Sequence, residues 1–254
     1  MFQNRPNRWL IGGKPNSPPG KLLLFAFSYA GGGASAYRQW HPSLPAGADL
    51  YAVQLPGRET RFGEPTLKHF PSAVQAITDA LLPSLDRPFA FFGHSLGGLL
   101  AFEVARHLRR ANAPLPAHLF ISATSAPQLQ ESREETSKLP DGDFIQSVRK
   151  FGGIPDEVLQ HTELLQILLP ILRADFSLFE TYRYAEEPAL DSPITVFGGL
   201  EDTETSEERL AAWNIQTTKP FRVKMFSGNH FYLHTKQNLV INEIAADLHK
   251  SKNL

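Results

Sequence analysis

Short apolar runs recur along the chain at intervals that suit alternating strands and helices. The first is at residues 21–27 (KLLLFAF), where polar residues are almost absent. Runs of this kind are typical of strands buried on both faces, as in a parallel sheet. We therefore predict six such strands, at residues 21–27, 49–55, 88–92, 118–122, 193–197 and 221–226.

Segments of helical length lie between several of these runs. Residues 70–85 and 96–110 carry the clearest helical pattern, and residues 206–213 and 236–249 carry weaker ones. Strands that alternate with helices predict an α/β fold, with a mostly parallel central sheet, right-handed crossovers and helices on both faces. The first twenty residues are polar and rich in proline and glycine, and we predict a loose lead-in there.

The alternation breaks between residues 134 and 187, where no strand pattern occurs. One helical pattern there ends at the glycine pair 152–153, a candidate hinge, and residues 161–182 are apolar around most of a helix, with Pro170 predicted to kink or divide it. We predict one domain over residues 1–254, in which residues 134–187 form a helical lid inserted over the sheet. The alternative is that these helices belong to the main layer.

A candidate nucleophile follows the predicted strand at residues 88–92. The sequence GHSLGG at residues 93–98 joins this strand to the helix at 96–110. A serine in a Gly-x-Ser-x-Gly turn between strand and helix presents its hydroxyl above the carboxyl edge of the sheet, and the helix N-terminus supplies free N–H groups. We predict that Ser95 is the nucleophile. The alternative is a glycine-rich turn in which the serine only caps the helix.

A serine nucleophile needs a base and an acid that orients the base. Asp202 follows the predicted strand at 193–197, and His230 follows the next strand at 221–226. On this topology the chain order should be serine, acid, histidine, and the carboxyl ends of parallel strands share one edge. We predict a triad of Ser95, His230 and Asp202, with Glu201 left open as an alternative acid.

The loop after the first predicted strand is the candidate for the second half of an oxyanion hole. It reads FSYAGGG at residues 27–33, and its glycines allow a backbone N–H to point inward. We predict that the N–H groups of Ala30 and Leu96 bind the oxyanion. The three glycines also suggest a nucleotide-binding loop, but the sequence has neither Gly-x-Gly-x-x-Gly nor the Lys-Ser/Thr pair of a P-loop.

The amino-acid composition argues against several classes of partner and site. The 25 basic and 26 acidic residues give a formal net charge of −1, which offers no electrostatic case for nucleic acid. Cysteine is absent, so disulfides and thiolate metal sites are excluded, and no His/Asp/Glu cluster has metal-binding spacing. No apolar stretch is typical of a signal peptide or a membrane span. We expect a cytoplasmic monomer with no metal and no membrane association.

Four motifs resemble the type II thioesterases, stand-alone α/β-hydrolases that accompany nonribosomal peptide and polyketide synthases. They are YAGG at 29–32, QLPGRE at 54–59, GHSLGG at 93–98 and GNHF at 228–231. The segments FGGIPDEVLQ (151–160) and LLPILRADFSLFETY (168–182) also resemble the lid of that family. Ser28 and Asn229 depart from the family pattern, which often has proline and glycine at these positions.

The resemblance implies an α/β-hydrolase fold and the hydrolysis of acyl or aminoacyl thioesters on the phosphopantetheine arm of carrier protein domains, which edits misprimed or stalled synthases. It also implies that the enzyme needs no cofactor of its own, because phosphopantetheine arrives on the carrier. Three alternatives stay open: a medium-chain acyl thioesterase, a general carboxylesterase, and a hydrolase-fold binding protein without activity.

Overall fold

The apolar runs form a sheet of seven strands in the computed structural model, which describes residues 7–13, 21–45, 47–130, 135–150 and 161–250. The strand order is β1-β3-β2-β4-β5-β6-β7, and every pair is parallel except β1–β3. The strands are β1 (Leu10–Gly12), β2 (Leu22–Phe27), β3 (Ala48–Val53), β4 (Phe89–His94), β5 (His118–Ser122), β6 (Ile194–Gly199) and β7 (Phe221–Phe226).

Helices cover both faces of this sheet. The helices of the described residues are α1 (Phe70–Leu81), α2 (Leu96–Arg110), α3 (Asp141–Lys150), α4 (Thr162–Thr181), α5 (Glu207–Ala211), α6 (Tyr232–Thr235) and α7 (Gln237–Lys250). The predicted α/β architecture is therefore confirmed. The helix expected at 70–85 ends at Leu81, and a short 3-10 turn containing Pro83 follows, because proline offers no N–H to continue an α-helix.

Alternate residues of the central strands pack into two separate apolar cores, one on each face of the sheet. In β2, Phe25 and Phe27 pack into the core beneath α1 and α2, while Leu24 and Ala26 pack into the core beneath α7. All six residues of β2 are buried. A strand covered on both faces has no polar side, which is why its sequence is a continuous apolar run.

The loose lead-in predicted for the first twenty residues is wrong in one part. Residues Leu10–Gly12 form β1, which pairs antiparallel with β3 at the sheet edge and places Leu10 opposite Val53. Trp9 continues this contact, since its carbonyl accepts a hydrogen bond from Gln54 N–H at 2.8 Å. Three residues are too few to produce a recognisable strand pattern.

The sequence predicts that Pro170 kinks or divides helix α4. The helix is continuous across Pro170, so a division is wrong, and a kink stays a prediction. The proline lies on the exposed side of the helix. Its missing N–H leaves the carbonyl of Gln166 without an intrahelical donor, and Gln166 is also exposed, so water can satisfy that carbonyl.

Helices α3 and α4 lie between β5 and β6 in the chain, within the predicted lid at 134–187. They pack on each other through Phe144 and Val148 of α3 and Leu172 and Phe176 of α4. The glycine pair at 152–153 lies outside the described residues, and the hinge there stays a prediction, as does the lid role of the insertion.

Three arginines at the end of α2 fasten the chain that leaves α4. Arg106, Arg109 and Arg110 all form ion pairs with Glu187, at 2.9, 2.5 and 2.7 Å respectively. Arg106 and Arg109 also donate to the carbonyls of Ala185 and Pro188. These arginines therefore fix residues 185–188, the segment through which the chain passes from the insertion back to the sheet.

A buried histidine, His118, lies on the face of the sheet that α7 covers. His118 Nε2 lies 2.9 Å from Thr195 Oγ1, which in turn donates to Asp247 Oδ2 at 2.7 Å. Because the threonine hydroxyl donates its proton to the carboxylate, His118 must be the donor to the threonine. Burial lowers the pKa of His118 to about 4, with a smaller lowering from the nearby Arg222 charge and an opposing effect of Asp247.

We predict that His118 makes the protein less stable in mild acid. Its folded pKa, about 4, is below the ordinary value of 6.5. The unfolded chain therefore binds a proton between these pH values and the native protein does not, so the free energy of unfolding falls as pH drops through this window, by up to about 3 kcal/mol.

His118→Gln retains an N–H for Thr195 but cannot titrate. Urea unfolding at pH 7 and pH 4.5 should show a smaller acid-induced loss of stability in this variant than in the wild type. His69→Gln, at an exposed histidine, is the matched control and should leave the loss unchanged. An equal loss in His118→Gln and the wild type would contradict the prediction.

Candidate active site

Ser95 occupies a strained turn between β4 and α2. Its backbone has φ +54° and ψ −118°, a conformation that residues other than glycine rarely adopt. Two glycines make the turn possible. A Cβ on Gly93 would lie 2.2 Å from the carbonyl oxygen of Gly97, and a Cβ on Gly97 would lie 2.1 Å from the carbonyl oxygen of Phe27. The Gly-x-Ser-x-Gly pattern is thus a steric requirement of this turn.

His230 joins Ser95 to Asp202 through two hydrogen bonds. His230 Nε2 lies 3.1 Å from Ser95 Oγ, and His230 Nδ1 lies 2.8 Å from Asp202 Oδ2. Asp202 follows β6 and His230 follows β7, and these neighbouring parallel strands end at the same sheet edge as β4. The structure therefore brings the three predicted residues together in the order a serine hydrolase needs.

Asp202 is held as a charged acceptor. Its side chain is fully buried, and it also accepts hydrogen bonds from the Glu204 N–H at 2.8 Å and from Thr205 Oγ1 at 2.5 Å. Burial acts to raise the pKa of Asp202, but the interactions with His230, Thr205 and Glu204 together hold the pKa below its ordinary value. Asp202 is consequently ionised at neutral pH and keeps the proton of His230 on Nδ1.

The alternative acid has a different environment. Glu201 is exposed, and its backbone N–H donates to the Gly228 carbonyl at 3.1 Å. Among the described residues, the hydrogen bonds of the His230 ring go to Ser95 and Asp202, and none goes to the Glu201 side chain. The geometry therefore favours Asp202 as the orienting acid.

Two further histidines lie near the triad. His94 is fully buried, and its Nδ1 lies 2.8 Å from Ser122 Oγ. Burial, and after it the neighbouring His230 and His234, hold the pKa of His94 well below its ordinary range. His234 Nε2 lies 3.1 Å from Tyr29 Oη. These contacts give both rings partners outside the triad.

Ala30 and Leu96 lie where the predicted oxyanion donors should be. Ala30 follows β2, and Leu96 is the first residue of α2, directly after Ser95. Within the part of the chain that the structure describes, neither N–H has a hydrogen-bond acceptor. Ala30 and Ser95 also line the same cavity. Both N–H groups are therefore available to an oxyanion.

The cavity above Ser95 has a volume of about 260 Å³. The insertion supplies one apolar wall, and the loop after Asp202 together with α5 supplies a polar one. The apolar side chains are Val148, Leu172, Phe176 and Phe179, and the polar wall contains Thr203, Glu204, Thr205 and Arg209. A bound acyl group would therefore contact α3 and α4 on one side and polar groups on the other.

Sequence analysis missed the contacts that hold the loop around Ala30. Asp175 of α4 accepts a hydrogen bond from the Gly31 N–H at 2.7 Å and forms an ion pair with Arg58 at 2.6 Å. Two signals pointed to them: Arg58 belongs to the QLPGRE motif, and Asp175 is a carboxylate inside an apolar helix.

Neither a metal site nor a membrane span was found in the described residues. No group of three or more histidine, aspartate or glutamate side chains in these ranges is arranged to hold a metal ion. None of their helices combines the length and the apolar character that a membrane span requires.

Comparison with known proteins shows which family the chain resembles. Two curated relatives align over nearly the whole chain. LgrE of Brevibacillus parabrevis, named linear gramicidin dehydrogenase, is 41% identical over 96% of this chain and 93% of its own length. The gramicidin S biosynthesis protein GrsT of Aneurinibacillus migulanus is 40% identical over 97% of this chain and 96% of its own. The word dehydrogenase is part of the name of LgrE and is not carried over to this chain, because this chain lacks the Gly-x-Gly-x-x-Gly fingerprint of dinucleotide binding.

A solved structure and a family model agree with these relatives. The structure of YbtT, a type II thioesterase from the yersiniabactin NRPS/PKS biosynthetic pathway, superposes with a TM-score of 0.84 at 29% identity, over 96% of this chain and 99% of that one. The thioesterase domain model matches residues 23–251. The expected α/β-hydrolase fold is confirmed. The chain belongs to the thioesterase family, and its relatives include type II thioesterases of nonribosomal peptide and polyketide pathways.

Proposed function

We propose that this protein hydrolyses acyl or aminoacyl thioesters on the phosphopantetheine arm of carrier protein domains, and so clears misprimed or stalled groups from a synthase. The observation that carries the proposal is the hydrogen-bonded series Ser95–His230–Asp202, of which Ser95 and His230 line a cavity that also has apolar side chains from α3 and α4. The names of GrsT and YbtT, which refer to gramicidin S biosynthesis and to an NRPS/PKS pathway, support the class of substrate.

Acylation of the enzyme begins at Ser95. Its Oγ attacks the thioester carbonyl carbon while His230 Nε2 takes the hydroxyl proton, and the carbonyl oxygen becomes an oxyanion bound by the Ala30 and Leu96 N–H groups. When the tetrahedral intermediate collapses, the carbon–sulfur bond breaks and His230 returns the proton to the leaving thiolate. The products are a free phosphopantetheine thiol on the carrier and an acyl ester on Ser95.

Deacylation repeats this chemistry with water. His230 takes a proton from water as the water oxygen attacks the ester, and it then protonates the leaving Ser95 oxygen. Asp202 remains a carboxylate throughout and stabilises the imidazolium that forms twice in each cycle. We propose that these side chains and water suffice, so that the enzyme needs no cofactor and phosphopantetheine is part of the substrate.

The walls of the cavity support an insertion that acts as a lid over the acyl group. Val148 of α3 and Leu172 and Phe176 of α4 line the same cavity as Ser95 and the polar loop after Asp202. A roof made of helices suits a thioester that enters on a long, narrow arm. The cytoplasmic location and the monomeric state remain predictions from the sequence.

Carrier-bound thioesters test the proposed substrate class. The wild type should release acyl groups from a loaded carrier protein faster, by kcat/KM, than it cleaves either the same acyl group on a free thiol or a matched oxygen ester. Mass spectrometry of the carrier and a thiol-detecting assay give the three rates. Faster cleavage of the oxygen ester would instead indicate a general carboxylesterase.

Ser95→Ala should abolish catalysis and leave the fold intact. The change removes one hydroxyl, whose hydrogen bond in the structure goes to His230 and to no part of the core. Without the nucleophile, kcat on loaded carrier should fall by at least about 10⁴-fold. Labelling by a fluorophosphonate probe should disappear as well. Ser125→Ala, which removes a hydroxyl from the same cavity, is the matched control and should retain labelling. A folded Ser95→Ala enzyme with near wild-type turnover would overturn the mechanism.

Asp202→Asn should be far more damaging than Glu201→Gln. Asparagine cannot stabilise the imidazolium and favours the wrong tautomer of His230, so kcat should fall by about 10⁴-fold. Glu201 is exposed and has no hydrogen bond to His230, so its amide variant should stay within about threefold of the wild type. Steady-state kinetics on loaded carrier measure both variants. The reverse ranking would assign the orienting role to Glu201.

A further inference from the structure

Residues 28–33, here called the oxyanion loop because they contain Ala30, are fastened from two sides. The Gly31 N–H donates to Asp175 Oδ2 at 2.7 Å, and Arg58 Nη1 donates to the Gly32 carbonyl at 3.0 Å. Within the loop, the Gly32 N–H donates to the Tyr29 carbonyl at 2.9 Å. The peptide groups on the C-terminal side of Ala30 therefore have fixed partners.

Arg58 and Asp175 also bind each other directly, through two hydrogen bonds. The guanidinium donates through Nη1 to Oδ2 at 2.6 Å and through Nη2 to Oδ1 at 2.7 Å. The side chains are only 5% and 1% exposed. Such a two-point contact between planar groups fixes their relative direction as well as their distance. Asp175 Oδ2 is thus shared between the Arg58 guanidinium and the Gly31 N–H.

The position of the Ala30 N–H depends on this contact. Gly31 has φ +80°, so its conformation is one that the loop adopts only because glycine permits it and a partner holds it. An oxyanion donor is effective only when it is already within hydrogen-bond distance of the developing charge, since moving it during the reaction costs free energy. Loss of the carboxylate at 175 would release the peptide next to Ala30.

We propose that Asp175 is a positioning residue for the oxyanion hole: through Gly31 and Arg58, helix α4 of the insertion holds the Ala30 N–H in place for catalysis. This inference rests on the proposed function, because it assumes that the Ala30 N–H binds the oxyanion. Asp175 itself is not among the residues that line the cavity above Ser95, so its effect passes through the loop.

Asp175→Asn tests the proposal with little change in size. Asparagine has only one acceptor oxygen, so its NH₂ group must face either Arg58 Nη2 or the pair formed by Arg58 Nη1 and the Gly31 N–H. Each arrangement sets donor against donor, and the loop should shift. We expect kcat on loaded carrier to fall by about 10- to 100-fold, part of the loss that removal of one oxyanion donor causes.

The matched control is Asp141→Asn. Asp141 forms an ion pair with Arg173, also on α4, at 2.6 Å, but it is exposed and, in the described part of the chain, makes no hydrogen bond or ion pair with the oxyanion loop. The control removes a carboxylate that binds an arginine of the same helix, and kcat should stay within about threefold of the wild type.

A transition-state analogue separates positioning from a general effect on the structure. A trifluoromethyl ketone analogue of the substrate accepts Ser95 Oγ at its carbonyl carbon and becomes a hemiketal oxyanion, with the serine proton on His230. Asp175→Asn should raise the inhibition constant of this ketone by the same factor by which it lowers kcat/KM. The dissociation constant of an unreactive thioether analogue should remain unchanged, because that ligand develops no oxyanion.

Arg58→Lys provides a second variant if Asp175→Asn does not fold. Lysine keeps a positive charge beside Asp175 but cannot make the two-point contact and hold the Gly32 carbonyl at once, so the same pattern with a smaller, about 10-fold, loss of kcat is expected. Folded variants that match Asp141→Asn in kcat and in ketone inhibition would overturn the inference and leave the proposed function in place. A wild type that does not hydrolyse loaded carriers, or that does not bind the ketone, would overturn both.

Discussion

The close approach of helix α2 to the ends of β2 and β4 is the constraint on which the rest of the site depends. Gly97 lies so near the Phe27 carbonyl, and Gly93 so near Gly97, that no side chain fits at either glycine. This contact brings the first N–H of α2 beside the loop that follows β2. The nucleophile and one candidate oxyanion donor, Leu96, are therefore placed by one packing contact between a helix and two strands, and the loop that carries the other donor, Ala30, starts at the same contact.

Helix α4 connects the insertion to this arrangement. The half of the helix after Pro170 is largely buried, and it contributes an apolar wall to the cavity through Leu172 and Phe176 and a carboxylate to the loop through Asp175. The half before Pro170 is more exposed, with Leu164 and Ile167 each 49% accessible. One helix thus has a part fixed to the catalytic centre and a part that faces outward.

The sequence predicted those features that depend on local pattern. The six predicted strands begin and end within two residues of their predicted positions. Strands β2, β4, β5 and β6 were recognisable because a strand buried on both faces must be apolar throughout, whereas the edge strand β7 is only partly buried. Ser95, Asp202 and His230 could be found because each lies at or shortly after the carboxyl end of a predicted strand, β4, β6 and β7 respectively. The pairing of Arg58 with Asp175 could not, since the two residues are 117 positions apart and only the folded chain shows that they meet. Strand β1 was missed because it gains its structure from β3, not from its own three residues.

The backbone conformation of Ser95 has a consequence for how this protein can evolve. A serine at φ +54° stores strain, about 1–3 kcal/mol for a residue held in a sparsely populated region, and the surrounding fold must sustain it. Glycine at this position would relieve the strain and remove the nucleophile in the same step. Stability and activity are therefore opposed at a single residue, and selection for a more robust chain, if unconstrained by function, would favour an inactive hydrolase fold.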